Sequence, residues 1–290
     1  MVVPEVLSAL TVPFTAAGEV NFEALRANVE RLEPLVDGVF AAGTTGEFPS
    51  LSLDEHARIV ETALDVFGPA RVVVHVGAPS TRQSLELTRS AVSLGAKRFA
   101  AITPYYLPAS VDGITRHWAA IKVACGGELY GYIYPDVAVT DLLPQDLPSV
   151  LGSGIDGLKV SATASGRVDE YLAAGPDGLK LWSGNDADLP HVMAAGGNGT
   201  VSGVSGACPE PWAAFREAYR AGDEDAMAAA QQQIELIVPL LGPSIANLKY
   251  ALTLQGLDGG ACRMPIDQPS DDTKRAITEA LRAIGLLQGS

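Results

Sequence analysis

"GVFAAGTTGEFPSLSLDEHARIVETALDVFG", residues 38–68, contains one whole repeating unit of the chain. Its opening, "GVFAAGT", is a near-continuous apolar run of strand length rather than a period-two alternation. A strand patterned in that way is covered on both faces, as in a parallel sheet flanked by helices. Further on, Ser52 stands three residues before Glu55, a capping box that opens a helix. The helix "SLDEHARIVETALDVFG" closes at Gly68, a residue suited to a helix end. The stretch therefore reads strand, loop, helix.

The same alternation extends outward from it. Strand-like runs recur at "VLSALTVPF", "RVVVHVGA", "RFAAITPYY", "LYGYIYP", "GLKVSA", "LKLWSGND" and "GTVSGVSG", making eight with the first. Helical patterns lie between many of them. In "NFEALRANVERLEPL", Phe22, Leu25, Val29 and Leu32 share one face and Asn21 is placed to cap the N-terminus. "SLELTRSAVSLG" and "ITRHWAAIKVACGG" also end at glycines. Eight repeats predict a (β/α)8 TIM barrel with a C-terminal helical extension. A doubly wound sheet is disfavoured because no Gly-x-Gly-x-x-Gly follows the first strand. Residues 1–208 form the expected barrel core. Residues 209–290 supply the last barrel helix and the extension, in one structural unit with the barrel, including "SIANLKYALTLQG" and "SDDTKRAITEALRAIGLL".

Composition narrows the function classes. The 290 residues are 47% hydrophobic and 19% charged, which suits a large buried core. The net charge of −14 disfavours a nucleic-acid partner. No apolar run reaches the length of a membrane span, and the first residues carry no signal-peptide pattern, so a cytoplasmic protein without a membrane partner is expected. Cys125, Cys208 and Cys262 are too few and too scattered for a disulfide framework or a zinc site. The histidines, His56, His75, His117 and His191, show no metal-ligand spacing, and His56 is expected to be exposed on its helix.

In a barrel of this kind the chemistry sits at the C-terminal ends of the strands and in the loops after them. Gly43-Thr44-Thr45-Gly46-Glu47 follows the second strand and so lies on that face. Its N–H groups and hydroxyls could cradle an anion, and an ordinary turn feeding the Ser52 cap accounts for it equally well. Gly-Leu-Lys occurs twice. Lys159 falls towards the end of the sixth strand, whereas Lys180 falls at the start of the seventh, on the opposite face. A lysine buried in an apolar strand is costly unless functional; burial lowers its pKa and yields a nucleophilic amine able to form a Schiff base. Position favours that role for Lys159 and a snorkelling surface role for Lys180. Tyr130, Tyr132 and Tyr134 alternate along the fifth strand and should share one side, with Tyr132 placed to relay protons.

Four motifs, Gly43-Thr44-Thr45-Gly46-Glu47, Thr103-Pro104-Tyr105-Tyr106, Tyr132-x-x-Pro135 and Gly157-Leu158-Lys159, together with "SGND" after the seventh strand, resemble the dihydrodipicolinate synthase / N-acetylneuraminate lyase family over essentially the whole chain. The resemblance implies Schiff-base chemistry needing no metal or organic cofactor. It implies that Lys159 attacks a 2-oxo acid such as pyruvate, that the turn containing Gly43, Thr44, Thr45 and Gly46 holds the carboxylate, and that Tyr132 is the acid/base. Tyr106 would be inserted by a neighbouring subunit to complete a Thr–Tyr–Tyr relay with Thr44 and Tyr132. Val201 would offer backbone contacts, and the assembly would be a homo-oligomer, a dimer of dimers.

Departures bear on the substrate. Dihydrodipicolinate synthases carry an arginine two residues after the proline of Tyr-x-x-Pro; here that residue is Val137, which cannot bind a carboxylate. "YIYPDVAVT" is similar to the version in 2-keto-3-deoxygluconate aldolases, with Ile133 in place of Asn and Val139 in place of Gly. Glu47 fits the synthases better. The favoured expectation is a lyase acting on pyruvate with an aldehyde, through a 2-keto-3-deoxy sugar acid or a related 4-hydroxy-2-oxo acid. The alternatives are 4-hydroxy-tetrahydrodipicolinate synthase, a Schiff-base sugar-acid dehydratase and a non-catalytic 2-oxo-acid-binding barrel.

Overall fold

The computed structural model describes residues 3–242 and 244–287. Eight parallel strands close on themselves in chain order: β1 (Glu5–Ala9), β2 (Gly38–Ala41), β3 (Val72–His75), β4 (Arg98–Ile102), β5 (Glu128–Ile133), β6 (Gly157–Val160), β7 (Lys180–Ser183) and β8 (Gly199–Ser202). β8 returns to β1 with Glu5 opposite Gly199 and Leu7 opposite Val201. The expected (β/α)8 barrel is the fold.

The helices are α1 (Phe22–Leu32), α2 (Leu53–Phe67), α3 (Thr81–Ser93), α4 (Val111–Cys125), α5 (Pro135–Ala138), α6 (Leu147–Leu151), α7 (Val168–Ala174), α8 (Leu189–Ala194), α9 (Val204–Ala207), α10 (Glu210–Ala221), α11 (Glu224–Leu241), α12 (Ile245–Leu254) and α13 (Asp271–Ala283). The first two begin as their sequences dictate. Asn21 accepts the Ala24 N–H, and Ser52 and Glu55 cap each other's backbone reciprocally. The short α5, α6 and α7 carry no amphipathic stripe long enough to be read from periodicity. None of the described helices alone is long and apolar enough to cross a membrane.

Two apolar layers result. Leu7, Phe40, Val73, Ala100, Tyr132 and Trp182 are among those filling the barrel interior. Residues of the opposite strand face, such as Val39, Val74 and Leu158, pack outward against helices in a cluster that also takes in Leu248, Ile277 and Leu281 from α12 and α13. At the N-terminal end the barrel is stoppered by charge. Arg98 donates to both carboxylate oxygens of Glu5 at 2.8 and 3.2 Å, and Trp182 donates to Glu5 at 2.9 Å. Lys180 belongs to this end, where it pairs with Glu128 at 2.7 Å.

Candidate active site

Strand register builds the centre of the site. Tyr132 on β5 lies opposite Lys159 on β6, and Lys159 lies opposite Trp182 on β7. Both Tyr132 and Lys159 point into the barrel, one layer above the charged stopper. Lys159 Nζ sits 3.8 Å from the centre of the Tyr132 ring and 4.8 Å from that of Phe40. Burial among these rings lowers the Lys159 pKa from its usual value to about 7, the Asp186 carboxylate partly opposing the shift. At pH 7 a large share of such an amine is unprotonated and nucleophilic.

Lys159 opens into a cavity of about 720 Å3 at the C-terminal end of the strands. Thr44, Thr45, Tyr132 and Val201 line it with Lys159. Thr44 and Thr45 begin a short 3-10 turn that ends at Gly46. The N–H groups opening such a turn have no partner within it, so they are available to an anion. The Thr44 hydroxyl is 3.2 Å from the Tyr132 hydroxyl. Burial pushes the Tyr132 phenol up to about 12, against smaller opposing effects of the Thr44 and Ser161 hydroxyls. Tyr132 therefore rests as a proton donor.

Other sequence-derived candidates sit elsewhere. Gly43 and Gly46 do not line the cavity. A Cβ at Gly43 would come within 2.7 Å of the Phe40 ring, and the Gly46 N–H donates to the Gly43 carbonyl, so the two glycines serve the packing of the turn. Tyr106 is 84% exposed and is not among the residues lining this cavity. His56, expected at the surface, is buried instead. It lies on the apolar face of α2 with Ile59, Val60 and Ala63, and its Nε2 is 2.8 Å from the His75 carbonyl.

One carboxylate escaped the residue-by-residue reading. Asp186, in the "SGND" segment after β7, is buried in the cavity wall. It accepts from the Ser202 hydroxyl at 2.7 Å and from the Val204 N–H at 3.3 Å. Burial raises its pKa to about 6; those hydrogen bonds and Lys159 oppose the shift. A carboxylate just after a barrel strand was the available signal, but its partners lie on β8 and α9. Glu47 is also placed: it is fully buried and paired with Lys249 at 2.6 Å.

Backbone strain gathers on the same end. Among the described residues, the non-glycine residues at positive φ are Ala42, Glu47, Tyr106, Val139 and Ala162, at 50° to 76°. All lie in loops after β2, β4, β5 and β6, the distribution expected when strain is held at a working site. Among the described residues, no three His, Cys, Asp or Glu side chains are grouped to hold a metal ion.

A buried lysine of lowered pKa beside a proton-donating tyrosine at the C-terminal end of a (β/α)8 barrel defines a class I lyase, one that works through a Schiff base. Residues 3–284 match the dihydrodipicolinate synthetase family, and the chain belongs to that family. It is 33% identical to a 4-hydroxy-tetrahydrodipicolinate synthase of Acidiphilium cryptum, covering 97% of this chain and 98% of that one. It is 32% identical to an uncharacterised DapA-like lyase of Halobacterium salinarum, over 87% of this chain and 84% of the other. A crystal structure of a dihydrodipicolinate synthase superposes with a TM-score of 0.89 at 26% identity, covering 98% of this chain and all of that one.

Proposed function

We propose that the protein is a Schiff-base aldolase that reversibly joins pyruvate to a neutral aldehyde, its long substrate being a 2-keto-3-deoxy sugar acid or a related 4-hydroxy-2-oxo acid. One observation carries this reading: Lys159 is the only cationic side chain among the described residues lining the cavity. The Thr44–Thr45 turn provides for one carboxylate, that of the 2-oxo acid. Beyond it the wall offers Asn185, Asp186 and Ser244, which can hydrogen-bond hydroxyl groups, and Val137, which cannot; it holds no cation for a second carboxylate, which Asp186 would repel.

The geometry supports a balanced sequence. The Lys159 amine attacks the C2 carbonyl, and the carbinolamine loses its hydroxyl as water by taking the Tyr132 proton. The phenolate so formed accepts the proton of the C4 hydroxyl as the C3–C4 bond breaks, and the bonding electrons pass into the iminium as an enamine. The aldehyde leaves, the Tyr132 phenol returns its proton to the enamine at C3, and water, giving a proton back to the phenolate, hydrolyses the resulting iminium to pyruvate and free Lys159. Thr44, in hydrogen-bonding distance of Tyr132, passes protons to and from the phenol. Tyr106 acts in trans as the relay's third member, within a homo-oligomer.

Borohydride reduction in the presence of pyruvate, followed by peptide mass spectrometry, tests the shared chemistry; no adduct on Lys159 refutes it. A panel of neutral hydroxyaldehydes against aspartate semialdehyde then tests the specificity. The names of relatives over 30% identical favour the second reading, 4-hydroxy-tetrahydrodipicolinate synthase. Preferential turnover of aspartate semialdehyde would establish it in place of the first.

A further inference from the structure

The threonine turn is held from behind by a buried ion pair that touches no part of the cavity. Glu47, the residue immediately after the turn, has left-handed backbone (φ 55°, ψ 40°) and no solvent exposure. Its Oε1 accepts from Lys249 Nζ at 2.6 Å. Its Oε2 accepts the N–H groups of Arg263 and Met264 at 2.8 and 2.6 Å. The carboxylate is thus fully engaged, as a buried charge must be.

Each partner leads to the cavity wall. Lys249 lies on α12 beside Leu248, which lines the cavity, and it also donates to the Ala261 carbonyl at 2.6 Å. Met264 precedes Ile266, another lining residue, by two positions. The connecting loop passes very close beneath: a Cβ at Gly259 would stand 2.1 Å from the Lys249 carbonyl oxygen, and Gly260 takes a φ of +66°. Arg263 adds a second tie by donating to the Ser50 carbonyl and to both oxygens of Glu55 in the α2 capping box. Helix α12 and loop 259–266 therefore close on Glu47 at one end of the turn whose other end presents Thr44 and Thr45.

From this we infer that Glu47 and Lys249 are positioning residues: their ion pair sets the attitude of the Thr44–Thr45 turn towards the carboxylate of the substrate, and couples the C-terminal helices to that binding step. The role rests on the reading above, that the turn receives a 2-oxo acid. A strained residue at the end of a three-residue turn has little local support, so the turn's direction depends on what anchors it. Loosening the anchor weakens carboxylate binding without removing the nucleophile.

The test compares Glu47→Gln, Lys249→Met and the double variant with the unaltered protein, measuring thermal stability and borohydride trapping on Lys159 across pyruvate concentrations. Each single variant leaves an unpaired charge in the interior and should lower the melting temperature. The double variant removes both charges and should recover much of that loss. The expected result is a half-saturating pyruvate concentration raised on the order of tenfold in the double variant, with the limiting trapping rate changed less than about threefold. Recovered stability together with unaltered half-saturation would overturn the positioning role. If a single variant does not fold, the double variant and the other single carry the same comparison. Absence of trapping in the unaltered protein would instead overturn the 2-oxo-acid reading, and the positioning role with it.

Discussion

Lys159 and Tyr132 are directly paired across β6 and β5, and the Lys159 nitrogen stands 3.8 Å from the centre of the tyrosine ring. One register step thus places both the proposed nucleophile and its proposed proton donor. Lys180, two residues of strand away by register through Gly157, is on the far side of the interior layer and bound to Glu128. Lys159→Ala should abolish reductive trapping with pyruvate, whereas Lys180→Ala should leave it intact. The lost half-exposed ion pair should change stability by no more than about 1 kcal/mol. Mass spectrometry of the trapped protein and thermal unfolding check the two halves.

The lowered pKa of Lys159 has a consequence for stability. Its folded value, about 7, lies below the ordinary lysine value of 10.5. Between those values the unfolded chain binds the proton and the folded chain does not, so stability rises with pH across that window. Burial of this group costs most below pH about 7. Lys159→Met should raise the melting temperature at pH 7, by an amount worth on the order of a few kcal/mol, and its advantage should shrink as the pH approaches 10. Equal gains at pH 7 and pH 10 would contradict the assigned shift. The limiting trapping rate of the unaltered protein should climb through pH about 7 as free amine accumulates.

Tyr132→Phe keeps the ring beside Lys159 and removes only the hydroxyl that meets Thr44. The nucleophile remains, so pyruvate should still be trapped, although more slowly. Aldol cleavage, which needs the proton twice, should fall by about 10²- to 10⁴-fold. Steady-state turnover of the long substrate, set against the trapping rate, separates the two effects.

What could be read from the chain was whatever local chemistry encodes. The Asn21 cap and the Ser52–Glu55 box each span three residues, and both formed. The position of Lys159 late in its strand and of Lys180 early in its own followed from counting along short apolar runs. His56 departs from the surface position expected of it, although the pattern is in the sequence: with Ile59, Val60, Ala63 and Phe67 it falls on one helical face. Helices of four to seven residues, such as α5, α6 and α7, are too short to show a period. Glu47 was illegible for a different reason, since its partner Lys249 lies 202 residues away. Asp186 likewise draws its hydrogen bonds from β8 and α9, 14 to 18 residues on.

Val139 follows α5 with φ 62°, a conformation unfavourable to a β-branched side chain. It is 63% exposed, so little packing is gained in return. Val139→Gly should relieve strain of about 1 kcal/mol or somewhat more, raising the melting temperature by a few degrees. The nearby tie between Asp136 and Thr163 should preserve the loop. An unchanged or lower melting temperature would show that the valine is accommodated without strain.

Tyr106 presents the reverse case, a strained residue whose side chain is mostly exposed on its own chain. It combines φ 76° with 84% exposure, and Leu107 beside it is 71% exposed. If a neighbouring copy receives this tyrosine, catalytic defects in two different chains should complement each other. Lys159→Ala lacks the nucleophile but can lend its Tyr106; Tyr106→Phe retains the nucleophile and lacks the hydroxyl. Each should be poorly active alone. When the two are unfolded and refolded together, mixed pairs contain one site with Lys159 from one chain and Tyr106 from the other. Activity should then reappear in the mixture and be absent from the separately refolded proteins combined afterwards on ice, where exchange is slow. No recovery in co-refolded, hetero-oligomeric material would confine the chemistry to a single chain and remove Tyr106 from the relay.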